Sequence, residues 1–261
     1  MKQMIKTIKK NFCRLRGYAT LRLRDRSLIP GFHVSTNIEA EKILEKDNEE
    51  ELLETFLGEI RPGDTVFDIG ANIGLYTLPS ALKLRGSGAV YAFEPVPLWF
   101  QRLRENIQLN KLSSREHVFA YNLGLSDKDE ICDLVMKGVQ GSGMGSITAN
   151  YREQMDTDKM AAISVQLVRG DDFLLKEGIP RPNIVKIDVE GAELAVVQGL
   201  EKSLQSSACR FILCEVHPHF MPHPPDHVEK LLEQYGFDIR ISEQRRTEYY
   251  LLARRMSGNS N

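Results

Sequence analysis

The sequence predicts an α/β protein: a largely parallel sheet covered by helices on both faces and closed by an antiparallel hairpin. Three observations predict it. From residue 61 onward, short apolar runs alternate with segments of helical period, and such alternation makes parallel strands joined by crossover helices. The last two apolar runs, 237–241 and 249–253, lie too close together for a crossover and must pair antiparallel. A length of 261 residues, 42% of them hydrophobic and 27% charged, is enough for one sizeable core.

The elements follow in order. Residues 1–26 hold nine Lys or Arg and one acid, Asp25, whereas residues 39–59 hold nine acids and only Lys42 and Lys46. Read as a helix, residues 1–16 place Ile5, Ile8, Phe12 and Leu15 on one face and Lys2, Lys6, Lys9, Lys10 and Arg14 on the other. A basic amphipathic helix of this kind can lie on an anionic membrane surface, and the same stripe can pack on its own domain or on a partner subunit. Residues 1–50 are therefore expected as a basic helix followed by an acidic helical extension, 51–255 as the main domain, and 256–261 as a disordered tail. Within the main domain, strands are expected at 65–69, 89–93, 117–121, 184–187 and 211–216, with helices over 75–84 and 97–110 and around Leu194, Val197 and 200–204. Asp226 and Glu229 have capping-box spacing ahead of a stripe of Val228, Leu231, Leu232 and Tyr235, which Gly236 stops. Between the third and fourth core strands comes a detour, 128–182, with strands expected at 131–136 and 163–168 around the glycine-rich stretch 138–146. Detours at a functional edge form lids or substrate walls.

Composition excludes several classes. Thirty-four basic against 36 acidic residues leave a net charge of −2, so no global field favours nucleic acid. No apolar run reaches the ~18 residues of a membrane span, and the N-terminus lacks a secretory apolar core. Cys13, Cys132, Cys209 and Cys214 show neither zinc-ligand nor disulfide-framework spacing, which fits a cytoplasmic protein.

Three constellations carry chemistry. In Asp68-Ile69-Gly70-Ala71-Asn72-Ile73-Gly74 a buried strand runs into a glycine loop at the carboxyl edge of the sheet. Its Gly-x-x-x-Gly spacing differs from the dinucleotide fingerprint. Twenty residues beyond Gly74, Glu94 ends the second strand, where a carboxylate can accept hydrogen bonds from both ribose hydroxyls of a nucleoside. The second is Lys186-Ile187-Asp188-Val189-Glu190-Gly191-Ala192-Glu193. Gathered carboxylates raise one another's pKa towards that of a proton acceptor, and Lys186 alternates with Asp188 on one strand face. Glu193 reads best as a first-turn charge favoured by the helix dipole. The third is Cys214-Glu215-Val216-His217-Pro218, with Glu215 and His217 on one face and an imidazole suited to base work. His217, His219, His223 and His227 fall within eleven residues that also hold four prolines, and no metal geometry can be read from them.

At these residues the sequence resembles the FkbM family of S-adenosylmethionine-dependent methyltransferases, from about Glu51 to Ala253. The resemblance also takes in the helix ending in Asn106 and Asn110 and the run from Asn122 to Asp127. It implies a Rossmann-like class I methyltransferase sheet of seven strands in the order 3-2-1-4-5-7-6, strand 7 antiparallel, to which the two strands of the detour add a β insertion before strand 4. It also implies S-adenosyl-L-methionine as cofactor and a hydroxyl of a sugar, glycan or secondary metabolite as acceptor. The chain departs locally from the pattern at Arg169-Gly170-Asp171-Asp172. The expected cofactor-binding residues are Asp68, Gly70, Asn72, Gly74 and Glu94, with Ser126 and Asp127 at the adenine edge. The expected catalytic residues are Asp188, His217, Glu190, Lys186 and Glu215, with Asp188 or His217 as base and no metal ligand assigned. Two alternatives stay open: a divalent-metal-dependent O-methyltransferase using Asp188, Glu190 and a third ligand, and a cofactor-binding module without turnover.

Overall fold

The structure is a computed structural model and describes residues 18–21, 23, 28, 30–33, 50–112, 117–137, 145–146, 160–244 and 248–256. The expected helix over 1–16, most of the acidic stretch before residue 50, most of the loop 138–146 and the tail 257–261 lie outside the described residues.

The chain opens with a short antiparallel pair, β1 (Tyr18–Thr20) and β2 (Gly31–His33), and then α1 (Glu50–Glu59). β3 (Thr65–Ile69), α2 (Thr77–Leu84), β4 (Ala89–Phe93), α3 (Pro97–Leu109) and β5 (Val118–Tyr121) form the first half of the main sheet. A second sheet follows, from β6 (Gly124–Ser126), β7 (Glu130–Lys137), β8 (Gly145–Ser146) and β9 (Met160–Arg169). α4 (Gly170–Glu177) then leads to β10 (Ile184–Ile187), α5 (Glu193–Gly199), α6 (Glu201–Gln205) and β11 (Phe211–Val216). α7 (Asp226–Gln234), β12 (Phe237–Gln244) and β13 (Tyr249–Arg255) complete the chain.

The main sheet runs β12-β13-β11-β10-β3-β4-β5. β10, β11, β3, β4 and β5 pair parallel, and β13 is antiparallel to both β11 and β12. The alternation of side chains divides the core. Val66, Val90, Ile184 and Phe211 face Leu53 and Phe56 of α1, Leu78 of α2 and Leu103 of α3. Their odd-even neighbours Phe67, Tyr91, Val185 and Ile212 face Val197 of α5, Leu204 of α6 and Leu232 of α7. Strands buried on both faces need no polar side, which is why each reads as a continuous apolar run. From β3 the chain winds outward through β4 and β5, then returns to place β10 on the other side of β3. The winding direction thus reverses between β3 and β10, and open α/β sheets bind ligands in the crevice at such a point.

Several local expectations are corrected. Residues 18–20 and 31–33 pair antiparallel inside the N-terminal extension, 1–50, for which only a basic helix and an acidic helical stretch are expected. Each of the two strands has only three residues, too few for a periodic pattern to register. The expected helix around 194–204 breaks at Leu200 into α5 and α6. The Arg169-Gly170-Asp171-Asp172 departure is the start of α4. There the Asp171 carboxylate accepts the backbone amides of Lys202 at 2.7 Å and Ser203 at 3.1 Å and so caps α6. The capping box is not formed: Asp226 is the first helical residue and pairs with Lys230, and Glu229 accepts the Tyr249 hydroxyl at 2.8 Å. β6 was not expected, and it pairs parallel with β9.

Candidate active site

The crevice at the reversal is built from four strand ends, those of β3, β4, β10 and β11. β3 ends in the glycine loop, which is held against β4 by bonds from the Gly70 and Ala71 amides to the Phe93 carbonyl, at 2.9 and 3.0 Å. Gly70 has φ +81°, and a Cβ there would stand 1.8 Å from the Asp188 carbonyl oxygen, so only glycine lets the ends of β3 and β10 approach. Asn72 is left-handed too, at φ 50°, and its side chain accepts the Ile73 amide at 2.9 Å. Glu94, at the end of β4, is buried. Its Oε2 accepts the Asn72 amide and its Oε1 the Val96 amide, both at 2.8 Å. Burial pushes the Glu94 carboxyl up to about 7, although the two amide bonds oppose the rise. Each oxygen keeps a further lone pair, so the carboxylate is fixed in place with acceptor capacity to spare.

Asp68 is buried one residue further back. Burial raises its carboxyl to about 6 against the hydrogen bond that it accepts from Thr77 Oγ1 at 2.5 Å. Asp68 lies opposite Lys186 in the β3–β10 register. Lys186 is buried beneath the second constellation, with Nζ 3.5 Å from Asp188 Oδ2, 3.7 Å from Glu215 Oε2 and 5.2 Å from the centre of the Tyr76 ring. Burial works against its charge, but Asp188 and Glu215 outweigh burial and hold its pKa above the ordinary lysine value.

At the ends of β10 and β11 the remaining groups converge on His217. Its Nε2 lies 3.6 Å from Glu215 Oε1 and 3.9 Å from Glu190 Oε2, and its Nδ1 lies 2.8 Å from Glu193 Oε1. The Tyr250 hydroxyl donates to Glu215 at 3.0 Å. Burial, then the neighbouring Asp188 charge, push Glu190 up to about 8, and burial, then the same charge, push Glu215 up to about 6. Burial opposes the charge of His217, yet its bond to Glu193 and the surrounding carboxylates raise it to about 9. Asp188, Glu190 and His217 each offer a ligand atom within 4.8 Å of the others, the one such group of three among the described residues. The other three histidines of the cluster are not part of it; His223 and His227 stack on each other at 6.3 Å.

The structure therefore brings together Lys186, Asp188, Glu190, Glu215 and His217, and sets Gly70, Asn72, Gly74, Asp68 and Glu94 around the adjoining loop. Ser126 and Asp127 bond to each other at 3.2 Å, and the Ser126 carbonyl packs against Gly199. From the same segment Asn122 donates to the backbone carbonyls of Glu94 at 2.9 Å and Pro95 at 3.0 Å, tying it to the end of β4. The sequence reading missed two residues. Glu193 is buried on His217 rather than facing water at the helix start, and Asn106 donates to the Ile73 carbonyl of the glycine loop at 2.9 Å. No local signal separates Glu193 from an ordinary first-turn acid; its burial follows from the fold around β11.

A seven-stranded sheet of this kind, with a glycine loop and a strand-end acid at the reversal, defines a methyltransferase, and relatives bear this out. The chain belongs to the family described as the Methyltransferase FkbM domain, which it matches over residues 68–239. It is 29% identical over 226 residues to the hexuronic acid methyltransferase AglP of Haloferax volcanii, covering 87% of this chain and 85% of that one. It is 31% identical over 208 residues to the 31-O-demethyl-FK506 methyltransferase FkbM of Streptomyces tacrolimicus, covering 71% and 76%. Its fold is similar to the crystal structure of a methyltransferase FkbM from Methylobacillus flagellatus, with a TM-score of 0.50 and 13% identity. That match covers 97% of this chain, which spans 60% of the other's length. No helix among the described residues is long and apolar enough to cross a membrane.

Proposed function

We propose that this methyltransferase moves a methyl group from S-adenosylmethionine to a hydroxyl of a sugar. One observation carries the reading: the proton-accepting cluster on β10 and β11 is in backbone contact, through Gly70 and the Asp188 carbonyl, with the loop that would hold the cofactor. The residues fit such a ligand. Glu94 has lone pairs for two vicinal ribose hydroxyls, and the acids outnumber the cations beside a position where a sulfonium would rest. Bound there, S-adenosylmethionine supplies an electrophilic methyl on a positively charged sulfur. Gly70, Asn72 and Gly74 shape the wall, Glu94 fixes the ribose, and Asp188 and His217 face the acceptor. A hydroxyl is a weak nucleophile until its proton leaves, and Asp188, or His217 in the neutral form that is populated as the pH rises through about 9, can take it. Alignment of the acceptor oxygen with the methyl–sulfur axis supplies the rest.

The name of the Haloferax relative favours a sugar acceptor. The test is calorimetry with S-adenosylmethionine and S-adenosylhomocysteine, then transfer of labelled methyl to a panel including methyl glucuronoside and methyl glucoside. Absence of heat with both cofactor forms rejects the reading. A second reading is favoured by the convergence of Asp188, Glu190 and His217, which suit a divalent cation that polarises the acceptor hydroxyl. Transfer that survives exhaustive chelation rejects it.

A further inference from the structure

Glu193 is a buried carboxylate of the cleft with no task in the scheme above. Glu193 opens α5, where an acid ordinarily faces water and the helix dipole, yet its side chain is fully buried. Its Oε1 accepts twice, from the Gly191 amide at 2.9 Å and from the His217 ring at 2.8 Å. Its Oε2 is buried without a hydrogen-bond partner. A buried charge with an unsatisfied oxygen is destabilising, and a glutamine would offer the same acceptor atom in the same space. The charge itself therefore calls for an explanation.

Backbone chemistry assigns the ring. The Gly191 amide can only donate, so the Glu193 atom it meets is an acceptor. The ring nitrogen that shares this oxygen must then be a donor: Nδ1 carries a proton whether the imidazole is neutral or charged. Nε2 is thereby turned towards Glu190 and Glu215, on the side of Asp188. The arrangement is braced from behind. Gly191 has φ +106°, and a Cβ there would meet the Phe220 backbone at 2.9 Å, while the Phe220 ring lies 6.0 Å from that of His217 at an interplanar angle of 24°.

We propose that Glu193 is a positioning residue for methyl transfer. It holds His217 with Nδ1–H on α5 and Nε2 facing the acceptor, and its charge stabilises the imidazolium formed when Nε2 takes the acceptor's proton. This rests on the O-methyl-transfer reading. In the step, the acceptor oxygen forms a bond to the methyl carbon, the carbon–sulfur pair stays on sulfur, and the hydroxyl proton moves to the Nε2 lone pair of the neutral ring. The charged groups facing the ring are Glu193 from α5, Asp188 and Glu190 from the loop after β10, and Glu215 from β11.

The test has two arms. In protein labelled with ¹⁵N-histidine and bound to S-adenosylhomocysteine, the His217 ring is identified by loss of its signals in His217→Gln. The Nδ1 proton should be present in the wild type and in Glu193→Gln and lost in Glu193→Ala. A wild-type ring protonated at Nε2 alone, or an Nδ1 proton indifferent to Glu193→Ala, overturns the proposal. In the second arm, with S-adenosylmethionine and methyl glucuronoside, Glu193→Gln should lower the high-pH limit of kcat, where the His217 ring is neutral in both proteins, about 10–100-fold while cofactor Kd stays within about twofold. In a His217→Gln background the same change should have no further effect, because the residues act as a unit. An equal loss in both backgrounds marks a purely structural role and sinks the idea. If the wild type transfers no methyl at all, the parent reading fails, and the ring-proton arm still decides the placement of Glu193.

Discussion

Two residues of the cofactor loop can be tested singly. At Gly70 a side chain meets both a left-handed backbone and the Asp188 carbonyl, whereas Gly86 has φ +77° with open space around it. Gly86→Ala should therefore show only the conformational penalty, roughly 1–2 kcal/mol, and Gly70→Ala a larger loss as the ends of β3 and β10 are driven apart. Thermal unfolding of the pair separates the two contributions; equal losses would mean that close approach is unimportant. For Glu94, Glu94→Gln removes charge-assisted bonds worth roughly 1.5–3 kcal/mol, a loss of about 10–100-fold in S-adenosylmethionine affinity. Because the Glu94 carboxyl stands near 7, wild-type affinity should also fall as the pH drops through that value, as acceptor capacity is lost to a proton. Calorimetric titration of the wild type and Glu94→Gln across that range checks both. A flat wild-type profile would remove Glu94 from the ribose.

At the scale of elements, asparagines couple the small hairpin to the cofactor loop. Asn110 accepts the Gly31 amide at 2.7 Å and donates to the Gly31 carbonyl at 2.6 Å, completing an edge-like pairing with a side chain. Asn106, fully buried on α3, accepts the His33 amide at 2.7 Å and donates to the Ile73 carbonyl, so one amide group bridges β2 and the glycine loop. Asn106→Ala would leave an amide and a carbonyl buried without partners, and should cost about 2–4 kcal/mol in stability and weaken cofactor binding besides. Chemical denaturation and cofactor titration read the two effects; intact binding would sever the hairpin from the site. The same elements show what the sequence made legible. The main-sheet strands were readable because burial on both faces leaves a continuous apolar run, and the terminal hairpin because its link is too short for anything else. β1 and β2 were not, because each has only three residues and the bonds that fix β2 come from Asn106 and Asn110, seventy or more positions away. Asn106 and Asn110 stood out only as part of a family pattern, with no task attached. In the cleft, Asp188, Glu190, Glu215 and His217 were legible as strand-end polar residues. Glu193 was hidden because its first-turn position has a sufficient local explanation, which only the fold around β11 displaces.

Across the molecule, the cleft's charges set a pH dependence opposite to that of most proteins, which are destabilised as their carboxylates are protonated. Asp68, Glu94, Glu190 and Glu215 have folded-state values of about 6, 7, 8 and 6, all above their ordinary values of 3.8 or 4.5. As the pH rises, the unfolded chain releases these protons first, so each group lowers stability between its ordinary value and its folded one. His217, raised from 6.5 to about 9, has the same sign: its stabilisation is complete below 6.5 and is lost as the pH climbs through 9. The unfolding temperature should therefore decline between about pH 5 and about pH 9. A ligand bearing a positive charge relieves the excess of carboxylates, so S-adenosylmethionine should raise the unfolding temperature more at about pH 8 than at about pH 5.5. S-adenosylhomocysteine shares the adenosine and lacks the charge, and the difference between the two ligands isolates the sulfonium from the pH response of Glu94. Scanning calorimetry over this range, with and without each ligand, is the measurement. A stability that rises with pH would show that the clustered acids are ionised without penalty, and equal stabilisation by the two ligands would place the sulfur away from the carboxylates of β10 and β11.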